Sequence, residues 1–271
     1  MENLLKETPK KVIELTREAG EEAMKYYDRD YSIKKKKDSS PVTEADLASE
    51  KILLEGLKPT GYGIVAEETG LLEGDKPDVN WIVDPLDGTQ DFIDKTGEFS
   101  IMVGLLVDRK PKLGIVYAPA QEKLWYAVKG QGAYLIENGR KSKIRVNRKS
   151  SLADYELIAS RNHFSSRDEK ISQKLGVKNI TRMGSLGIKF CSIAEGRADL
   201  AYYTTDRLGI WDCCSPHIIL EEAGGLAFNM YGGDLEYDLE GKRMDKGVVG
   251  IGGESREKVV KVFEETGGGL D

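Results

Sequence analysis

The nine residues 81–89, WIVDPLDGT, constrain the fold of this chain more than any other stretch. The apolar and β-branched residues at its start predict a buried strand. Asp84 comes at the end of that strand, Pro85 interrupts the hydrogen-bond ladder, and Asp87-Gly88 turns the backbone. Two carboxylates three residues apart on a rigid turn suit hard divalent cations, and Mg²⁺ prefers oxygen ligands together with substrate phosphate. With the hydroxyl of Thr89 alongside, the pattern predicts metal-assisted phosphoester hydrolysis. The alternative is an ordinary surface turn, because Asp-Pro and Asp-Gly both favour turns.

The composition of the chain restricts the kinds of partner it can have. Its 271 residues include 40 Lys and Arg against 46 Asp and Glu, which gives a net charge of −6. The chain therefore lacks the basic balance of proteins that bind nucleic acid polymers, and no apolar run reaches the ~18 residues of a membrane span. We expect a small molecule as the partner, with no nucleic acid polymer and no membrane involved.

Cysteine and histidine usage bounds the redox environment and the type of metal site. The three cysteines, Cys191, Cys213 and Cys214, have no spacing typical of a zinc site, and the adjacent pair is poorly placed for a disulfide. Only two histidines occur, which excludes a His-rich metal centre. The expectation is therefore free, buried thiols in a reducing cytoplasm.

The order of predicted elements divides the chain into two halves. In residues 1–148, Thr8-Pro9 predicts a helix start, Thr43 predicts the start of a second helix, and strand signals from 101 to 136 predict an antiparallel meander. In residues 149–271, strand and helix signals alternate (155–160, 167–175, 187–195, 199–203 and 215–223), which predicts an α/β arrangement. We therefore predict an α+β half that holds the metal site and an α/β half that completes the metal and substrate sites.

Three further carboxylates stand at positions that suit the same site. Glu67 follows a predicted strand, as Asp84 does, and would join Asp84 if the two strands were neighbours; an acidic loop start is the alternative. Asp46 lies three residues after Thr43, where it fits either a capping box or a carboxylate that faces the metals. Asp212 precedes a predicted helix, where it fits either an N-cap or a cation ligand.

Basic and small residues mark candidate sites for the anionic part of a substrate. In RMGSLG (182–187), small residues open a helix, and free backbone N–H groups at Gly184 and Ser185 can bind an anion. Close packing of glycine is the alternative. Lys189, one turn later, is either a phosphate ligand or a surface lysine. The lysine run at 34–37 is either a solvated loop or a rim that steers anions.

These motifs together resemble the inositol monophosphatase family of lithium-sensitive, metal-dependent phosphatases. The matching pieces are AEE (66–68), DPLDGT (84–89), WD (211–212) and EAGG (222–225), and they occur in family order across nearly the whole chain. The resemblance implies an α+β or α/β fold, a layered α-β-α-β-α sandwich of the inositol monophosphatase and fructose bisphosphatase type.

The resemblance also implies roles for the matched residues. It implies metal ligands for two or three Mg²⁺ ions at Glu67, Asp84, the Leu86 carbonyl, Asp87 and Asp212. It further implies that Asp46 and Thr89 orient and activate the attacking water. The predicted substrate contacts come from Gly88, Thr89, Arg161, His163, Gly184, Ser185 and Lys189.

Four segments are similar to one branch of the family, the 3′(2′),5′-bisphosphate nucleotidases. They are Asp-Ser-Ser-Pro-Val-Thr-Glu-Ala-Asp (38–46), DFI with GEFS (91–93 and 97–100), SRNH (160–163), and KFC with AEGRAD (189–191 and 194–199). This branch implies Mg²⁺-dependent hydrolysis of the 3′-phosphate of adenosine 3′,5′-bisphosphate and inhibition by Li⁺. Two alternatives stay open: a phosphatase of the same chemistry that acts on inositol phosphate or fructose 1,6-bisphosphate, and a non-catalytic protein that binds metal or nucleotide. The sequence also leaves open whether the protein forms a homodimer.

Overall fold

The computed structural model of the protein describes residues 2–29, 31–36, 40–205, 208–253 and 255–266. The first two residues of the 38–46 segment lie outside these ranges. The α-helices are α1 (Glu2–Tyr27), α2 (Glu44–Leu57), α3 (Thr89–Ile93), α4 (Ser166–Leu175), α5 (Leu186–Ala194), α6 (Ile210–Glu222) and α7 (Arg256–Glu265). The β-strands are β1 (Ile33–Lys35), β2 (Pro41–Thr43), β3 (Tyr62–Ala66), β4 (Gly70–Leu72), β5 (Lys76–Asp87), β6 (Ser100–Val107), β7 (Lys110–Ala118), β8 (Lys123–Val128), β9 (Gly132–Glu137), β10 (Arg140–Ile144), β11 (Glu156–Ser160), β12 (Asn179–Met183), β13 (Leu200–Tyr203), β14 (Leu226–Phe228) and β15 (Val248–Ile251).

The largest sheet has the strand order β10-β9-β8-β7-β6-β5-β3-β4. Strands β5 to β10 pair in sequence as an antiparallel meander. The strand and turn signals predict its central part, β6 to β9, and the structure extends it by one strand at each side. One face of this sheet packs against α1 and α2 in a core that includes Leu53, Trp81, Val103 and Leu113. This face is therefore shielded from solvent by the first layer of helices.

Helices α5 and α6 cover the opposite face of the large sheet. They also pack against a second sheet with the order β12-β11-β13-β15-β14. The shared core contains Met102 and Val116 from the large sheet, Phe190 and Ile218 from the two helices, and Ala201 from the small sheet. The two helices thus form a central layer between the sheets.

Helices α4 and α7 form the last layer, on the outer face of the small sheet. Ile171 of α4 and Val259 and Phe263 of α7 pack there against Leu157 and Val249. The layers run α, β, α, β, α, which confirms the predicted sandwich. The division at residue 148 stays a prediction, because the core between the sheets contains residues from both sides of it.

Strand β5 carries the WIVDPLDGT run and continues further than the sequence predicts. It pairs with β6 through Asp84 and Met102, and again through Asp87 and Ser100, with an irregularity between the two pairs. Pro85 lies in that irregularity, where a missing N–H donor is tolerated. The predicted interruption of the ladder at Pro85 is therefore confirmed, whereas the expectation that the strand ends at Asp84 is wrong. Both aspartates are fixed by sheet pairing.

Two predicted helix starts are also wrong. Helix α1 begins at Glu2 and contains Pro9, because the one main-chain hydrogen bond that proline cannot donate does not end the helix. Helix α6 begins at Ile210 rather than at residue 215 and contains Pro216. The prediction of free, buried cysteines is confirmed. Within the described residues, no helix combines the length and the apolar character needed to cross a membrane.

Candidate metal centre and active-site cavity

Three aspartates from two layers of the fold meet at one place. Asp84 and Asp87 lie at the carboxyl end of β5, and Asp212 lies in the first turn of α6. One oxygen from each carboxylate lies within 4.8 Å of the other two. Carboxylate oxygens at this spacing suit a hard divalent cation such as Mg²⁺.

Asp84 is the most buried of the three aspartates, with 1% of its surface exposed. Its Oδ1 accepts a hydrogen bond from the Leu86 N–H at 3.0 Å, whereas Oδ2 has no hydrogen-bond partner among the described residues. Burial, and then the charges of Glu67, Asp87 and Asp212, raise the pKa of Asp84 well above its ordinary value. A buried carboxylate oxygen without a donor is costly, and a bound cation would offset that cost.

Asp87 is held by the start of helix α5. Its Oδ2 accepts hydrogen bonds from the Ser185 hydroxyl and from the Gly187 N–H, the latter at 2.8 Å. Burial raises the pKa of Asp87, and these two donors oppose that rise. The positive end of the α5 dipole therefore faces a carboxylate of the protein itself.

Asp212 occupies the third position of α6 and accepts a hydrogen bond from the Gly209 N–H at 2.5 Å. Gly209 is the N-cap, so the alternative in which Asp212 is the N-cap is wrong. Burial, and then the charges of Asp87 and Glu67, raise the pKa of Asp212 well above its ordinary value. The side chain thus fixes the helix start and faces the other carboxylates at the same time.

Glu67 stands beside this cluster because β3, which precedes it, pairs in parallel with β5. Its Oε1 lies 2.7 Å from Lys36 Nζ, which also contacts Glu68. Burial raises the pKa of Glu67 to about 7, and Lys36 opposes the rise. Within the lysine run, Lys36 therefore reaches the acidic site, whereas Lys34 and Lys35 are exposed to solvent; Lys37 lies outside the described residues.

Asp46 connects Thr89 to the start of α2. Thr43 is the N-cap of that helix, and its N–H and hydroxyl donate to Asp46 Oδ2 at 2.8 and 2.5 Å. The Thr89 hydroxyl donates to Asp46 Oδ1 at 3.0 Å and lies 3.3 Å from the Leu86 carbonyl oxygen. The capping-box interpretation of Asp46 is therefore confirmed, and the same carboxylate also contacts Thr89; that it faces metal ions stays a prediction. Burial raises the pKa of Asp46, and the bonds from Thr43 and Thr89 oppose this.

A cavity of about 1100 Å³ opens beside these groups. Of the sequence-predicted site residues, its wall contains Glu67, Asp87, Gly88, Thr89, His163, Gly184, Ser185 and Asp212. Asp46, Asp84 and Leu86 are not part of the wall; Asp46 and Leu86 contact it through Thr89, and Asp84 is hydrogen-bonded to Leu86. Arg161 and Lys189 are not part of the wall.

Lys189 is fully buried, at 0% exposure, which contradicts its predicted role as a phosphate ligand. Its Nζ donates to the Gly184 carbonyl and the Tyr203 hydroxyl and lies 4.6 Å from the centre of the Tyr203 ring. Burial lowers the pKa of Lys189 to about 8, against the attraction of nearby carboxylates. The physical reason is that every residue of α5 is buried between the two sheets, so this helix has no solvent-facing side.

The backbone donors at Gly184 and Ser185, which the sequence predicts to be free for an anion, are already hydrogen-bonded, although both residues line the cavity. The Gly184 N–H donates to Glu98 Oε2 at 2.9 Å, and the Ser185 N–H donates to the Glu98 carbonyl at 3.1 Å. An acidic residue of the chain therefore already occupies these donors. A substrate phosphate cannot bind them without displacing Glu98.

Arg161 lies outside the cavity wall, contrary to its predicted place beside the substrate. Its Nε lies 3.2 Å from Asp91 Oδ1, and its Nη2 lies 2.7 Å from Glu98 Oε2. Asp91 also accepts a bond from Asn162 at 3.0 Å. The guanidinium group thus joins two acidic side chains of the first half to the loop that follows β11.

Some cavity residues are not predicted from the sequence. Arg167, at the start of α4, and Arg243, which forms an isolated β-bridge with Gly209, both line the cavity. Phe164 lines it too, and the Arg182 guanidinium lies 3.3 Å from the centre of its ring. The closeness of Phe164 and Arg167 to the SRNH motif is a signal that could have found them. Arg243 has no such local signal, because its partner Gly209 is distant in the chain.

The fold and the site together place the protein in the class of layered α-β-α-β-α phosphatases. The chain belongs to the inositol monophosphatase family, whose profile matches residues 5–266. Membership supports hydrolysis of a phosphate monoester in a small phosphorylated molecule.

Several relatives are similar over most of their length. A 3′(2′),5′-bisphosphate nucleotidase CysQ from Salmonella typhimurium is 36% identical over 236 residues, which are 83% of this chain and 92% of the relative. The solved structure of CysQ from Bacteroides thetaiotaomicron is 27% identical with a TM-score of 0.75, covering 90% of this chain and 97% of that one. That of an IMPase from Thermotoga maritima is 28% identical with a TM-score of 0.80, covering 94% and 96%.

Proposed function

We propose that the protein is a Mg²⁺-dependent phosphomonoesterase that removes the 3′-phosphate of adenosine 3′,5′-bisphosphate. The observation that carries the reaction type is the cluster of Asp84, Asp87 and Asp212, in which Asp84 keeps a buried oxygen without a hydrogen-bond donor in the described part of the chain. The 36% identity to a bisphosphate nucleotidase supports the substrate.

The donor set fits Mg²⁺. The groups that would hold two or three ions are oxygen donors only, as a hard cation requires: the carboxylates of Glu67, Asp84, Asp87 and Asp212 and the carbonyl of Leu86. Burial, followed by the charges of neighbouring carboxylates, raises the pKa of each of these side chains, and positive charge at the site would oppose that effect. When bound, Mg²⁺ stabilises charge on the phosphoryl oxygens and lowers the pKa of water.

Thr89 and Asp46 are suited to orient the attacking water. Asp46 Oδ2 already has two donors from Thr43, so Oδ1 is the oxygen that accepts the Thr89 hydroxyl proton. The lone pairs of Thr89 Oγ1 then remain to accept a hydrogen bond from water. In the proposed step, water attacks phosphorus in line with the 3′-oxygen, and the bond from phosphorus to that oxygen breaks. The 3′-oxygen takes up a proton in exchange for the one that the water gives up, so the products are the 3′-hydroxyl of the nucleotide and inorganic phosphate.

The second phosphate of the substrate needs its own cationic partner. The cationic side chains in the described cavity wall are Lys36, Arg167 and Arg243. Lys36 contacts the proposed metal ligand Glu67 and so lies on the side of the cavity assigned to the reacting phosphate. The second phosphate is therefore assigned to Arg167 and Arg243, which also line the cavity, in place of the buried Lys189.

The aromatic part of the wall suits a flat base. Phe164 lines the cavity, and Arg182 stacks on its ring at 3.3 Å from the ring centre. The guanidinium group restricts the ring, so that less conformational freedom is lost when a base packs on it. His163 also lines the cavity beside Phe164.

Phosphate release from three substrates tests the proposal. Adenosine 3′,5′-bisphosphate, inositol 1-phosphate and fructose 1,6-bisphosphate are compared with Mg²⁺, with EDTA, and with EDTA followed by excess Mg²⁺. We expect the highest kcat/KM for the nucleotide, complete loss of activity in EDTA, recovery with Mg²⁺, and inhibition by Li⁺. Ca²⁺ is expected to support turnover poorly because its coordination geometry is looser.

Each other outcome has a separate meaning. A preference for inositol 1-phosphate would contradict the nucleotide substrate and favour an IMPase activity, as named for the Thermotoga maritima structure. Full activity after exhaustive chelation would show that the reaction does not require a metal ion. Binding of Mg²⁺ without release of phosphate from any of the three substrates would favour a non-catalytic binding protein.

A further inference from the structure

The amino end of α5 fixes the orientation of one proposed metal ligand. Two of the donors at this end, the Ser185 hydroxyl and the Gly187 N–H, bond to the same oxygen of Asp87, Oδ2. Two donors on one oxygen prevent the carboxylate group from rotating. The close approach also depends on Gly187, since a Cβ there would lie 2.5 Å from Met102 Sδ.

Ser185 is itself held from the opposite sheet. Its N–H donates to the Glu98 carbonyl at 3.1 Å, and its hydroxyl oxygen lies 2.9 Å from the hydroxyl oxygen of Ser100. Its exposed fraction is 1%. A side chain this enclosed, with its hydroxyl engaged by Asp87 and Ser100, is built to hold a neighbour rather than to meet a substrate.

Glu98 extends this contact to the small sheet. Its carboxylate accepts the Gly184 N–H at 2.9 Å and the Arg161 Nη2–H at 2.7 Å. Arg161 follows β11 and is anchored on Asp91 as well. A continuous set of hydrogen bonds thus connects the loop after β11 to Asp87 through the start of α5.

We propose that Ser185 is a positioning residue that sets the metal affinity of the site through Asp87, and that Glu98 supports it. The inference rests on the proposed metal-dependent function but not on the identity of the substrate. Hydrogen bonds to a ligating carboxylate fix its direction, and the loss of such a partner typically weakens metal binding by about ten- to a hundred-fold. The role that the sequence predicts for Ser185, direct substrate contact, is thereby replaced.

Titration with Mn²⁺ in the absence of substrate tests the proposal, with free Mn²⁺ followed by electron paramagnetic resonance. We expect the Kd of Ser185→Ala to rise about ten- to a hundred-fold. Ser192→Ala is the matched control, because Ser192 lies on the same helix, is 5% exposed, and donates only to the Ile188 carbonyl. The metal affinity of the control is expected to equal that of wild type, because the Ser192 hydroxyl bonds to the Ile188 carbonyl and not to Asp87.

A steady-state experiment separates positioning from substrate contact. At saturating Mg²⁺, Ser185→Ala should recover its kcat with an unchanged KM, and Ser185→Thr, which keeps a hydroxyl, should bind Mn²⁺ more tightly than the alanine variant. A KM that stays raised at saturating Mg²⁺ would show that Ser185 contacts the substrate instead.

The remaining outcomes also decide the matter. Mn²⁺ affinity of Ser185→Ala within twofold of wild type overturns the inference, even if the enzyme proves to be a nucleotidase. If that variant does not fold, Glu98→Ala, which removes a partly exposed side chain, should weaken Mn²⁺ binding at least about threefold, and unchanged affinity overturns the inference. Wild-type protein that binds no Mn²⁺ overturns the proposed metal-dependent function itself, whereas a preference for another phosphate ester leaves the positioning role intact.

Discussion

Replacement of Asp84 by asparagine should have opposite effects on stability with and without metal. In the absence of metal, three carboxylate oxygens lie within 4.8 Å of one another. Asp84 is also the member with a buried oxygen that lacks a donor among the described residues. The substitution removes this charge and keeps the size of the side chain, so the metal-free protein should become more stable while turnover is lost.

The structure sets the size of the effect. Two unit charges 4.8 Å apart repel by about 3.5 kcal/mol at an effective dielectric constant of about 20. Because burial and the neighbouring carboxylates raise the pKa of Asp84, protonation already removes part of this repulsion in the wild-type protein. We therefore expect a net gain of about 1–2 kcal/mol, a rise in Tm of roughly 2–8 °C. By contrast, bound metal at a hundred times its Kd stabilises the wild-type protein by about 2.7 kcal/mol. The Asp84→Asn variant should lose this stabilisation.

Thermal unfolding in EDTA and in excess Mg²⁺ measures both effects. The variant should unfold above wild type in EDTA and below it in Mg²⁺, while Asp154→Asn, which changes an exposed carboxylate outside the cavity wall, should follow wild type in both. The reasoning is refuted if Asp84→Asn is less stable than wild type in EDTA. It is also refuted if the variant keeps more than about a tenth of the wild-type rate, since that corresponds to only about 1.4 kcal/mol of barrier.

Further predictions concern pH, the second phosphate and the reaction path. The pKa of Glu67 in the folded protein is about 7, against an ordinary value of 4.5. Between these values the folded protein binds a proton at Glu67 that the unfolded chain does not, so the stability of the metal-free protein should fall as the pH rises from about 4.5 through 7. Glu67→Gln should make the stability in EDTA depend less on pH over this range. Arg243→Ala should raise the KM for adenosine 3′,5′-bisphosphate by about ten- to a hundred-fold, the loss of one charge-assisted contact, and leave the KM for a monophosphate nearly unchanged. Lys189→Met should instead lower the Tm and affect both substrates alike. Equal KM effects of Arg243→Ala on both substrates would contradict the assignment of Arg243 to the second phosphate. Water should attack phosphorus directly, because burial raises the pKa of Cys213 well above its ordinary value and so disfavours the thiolate that a covalent path through this cysteine needs. A single direct attack inverts the configuration at phosphorus, so a substrate with an isotopically chiral phosphate should give inverted product; retention of configuration, or a trapped phosphoryl group on Thr89, would disprove this.

Local sequence patterns were sufficient to predict those elements whose contacts form between residues close together in the chain. Thr43 caps α2 with Asp46 three residues later, and both residues are identified by their spacing alone. The same holds for the strand that brings Asp84 and Asp87 to one place, although the pairing of β5 with β6 extends it past Pro85. The meander from β6 to β9 follows from alternating strand and turn signals in the same way.

Sequence patterns failed where the partner of a side chain lies far along the chain. Gly184 and Ser185 have the composition of an anion-binding helix start, but Glu98, 86 residues away from Gly184, already accepts a hydrogen bond there. Arg161 lies in a motif that suggests substrate contact, but Asp91, 70 residues away, binds its Nε. No local pattern can show that a donor is already in use.

The sequence by itself determined which chemistry is available: clustered carboxylates on a turn after a buried strand, a capped helix beside them, and a family whose fold is a layered sandwich. The tertiary structure decided which side chains can reach a substrate. Lys189 is buried because α5 lies between two sheets, and Arg243 reaches the cavity because a β-bridge places it beside Gly209. The physical reason is that residue type and spacing fix what a side chain can do, whereas the packing of whole layers fixes which way it points and which groups it meets.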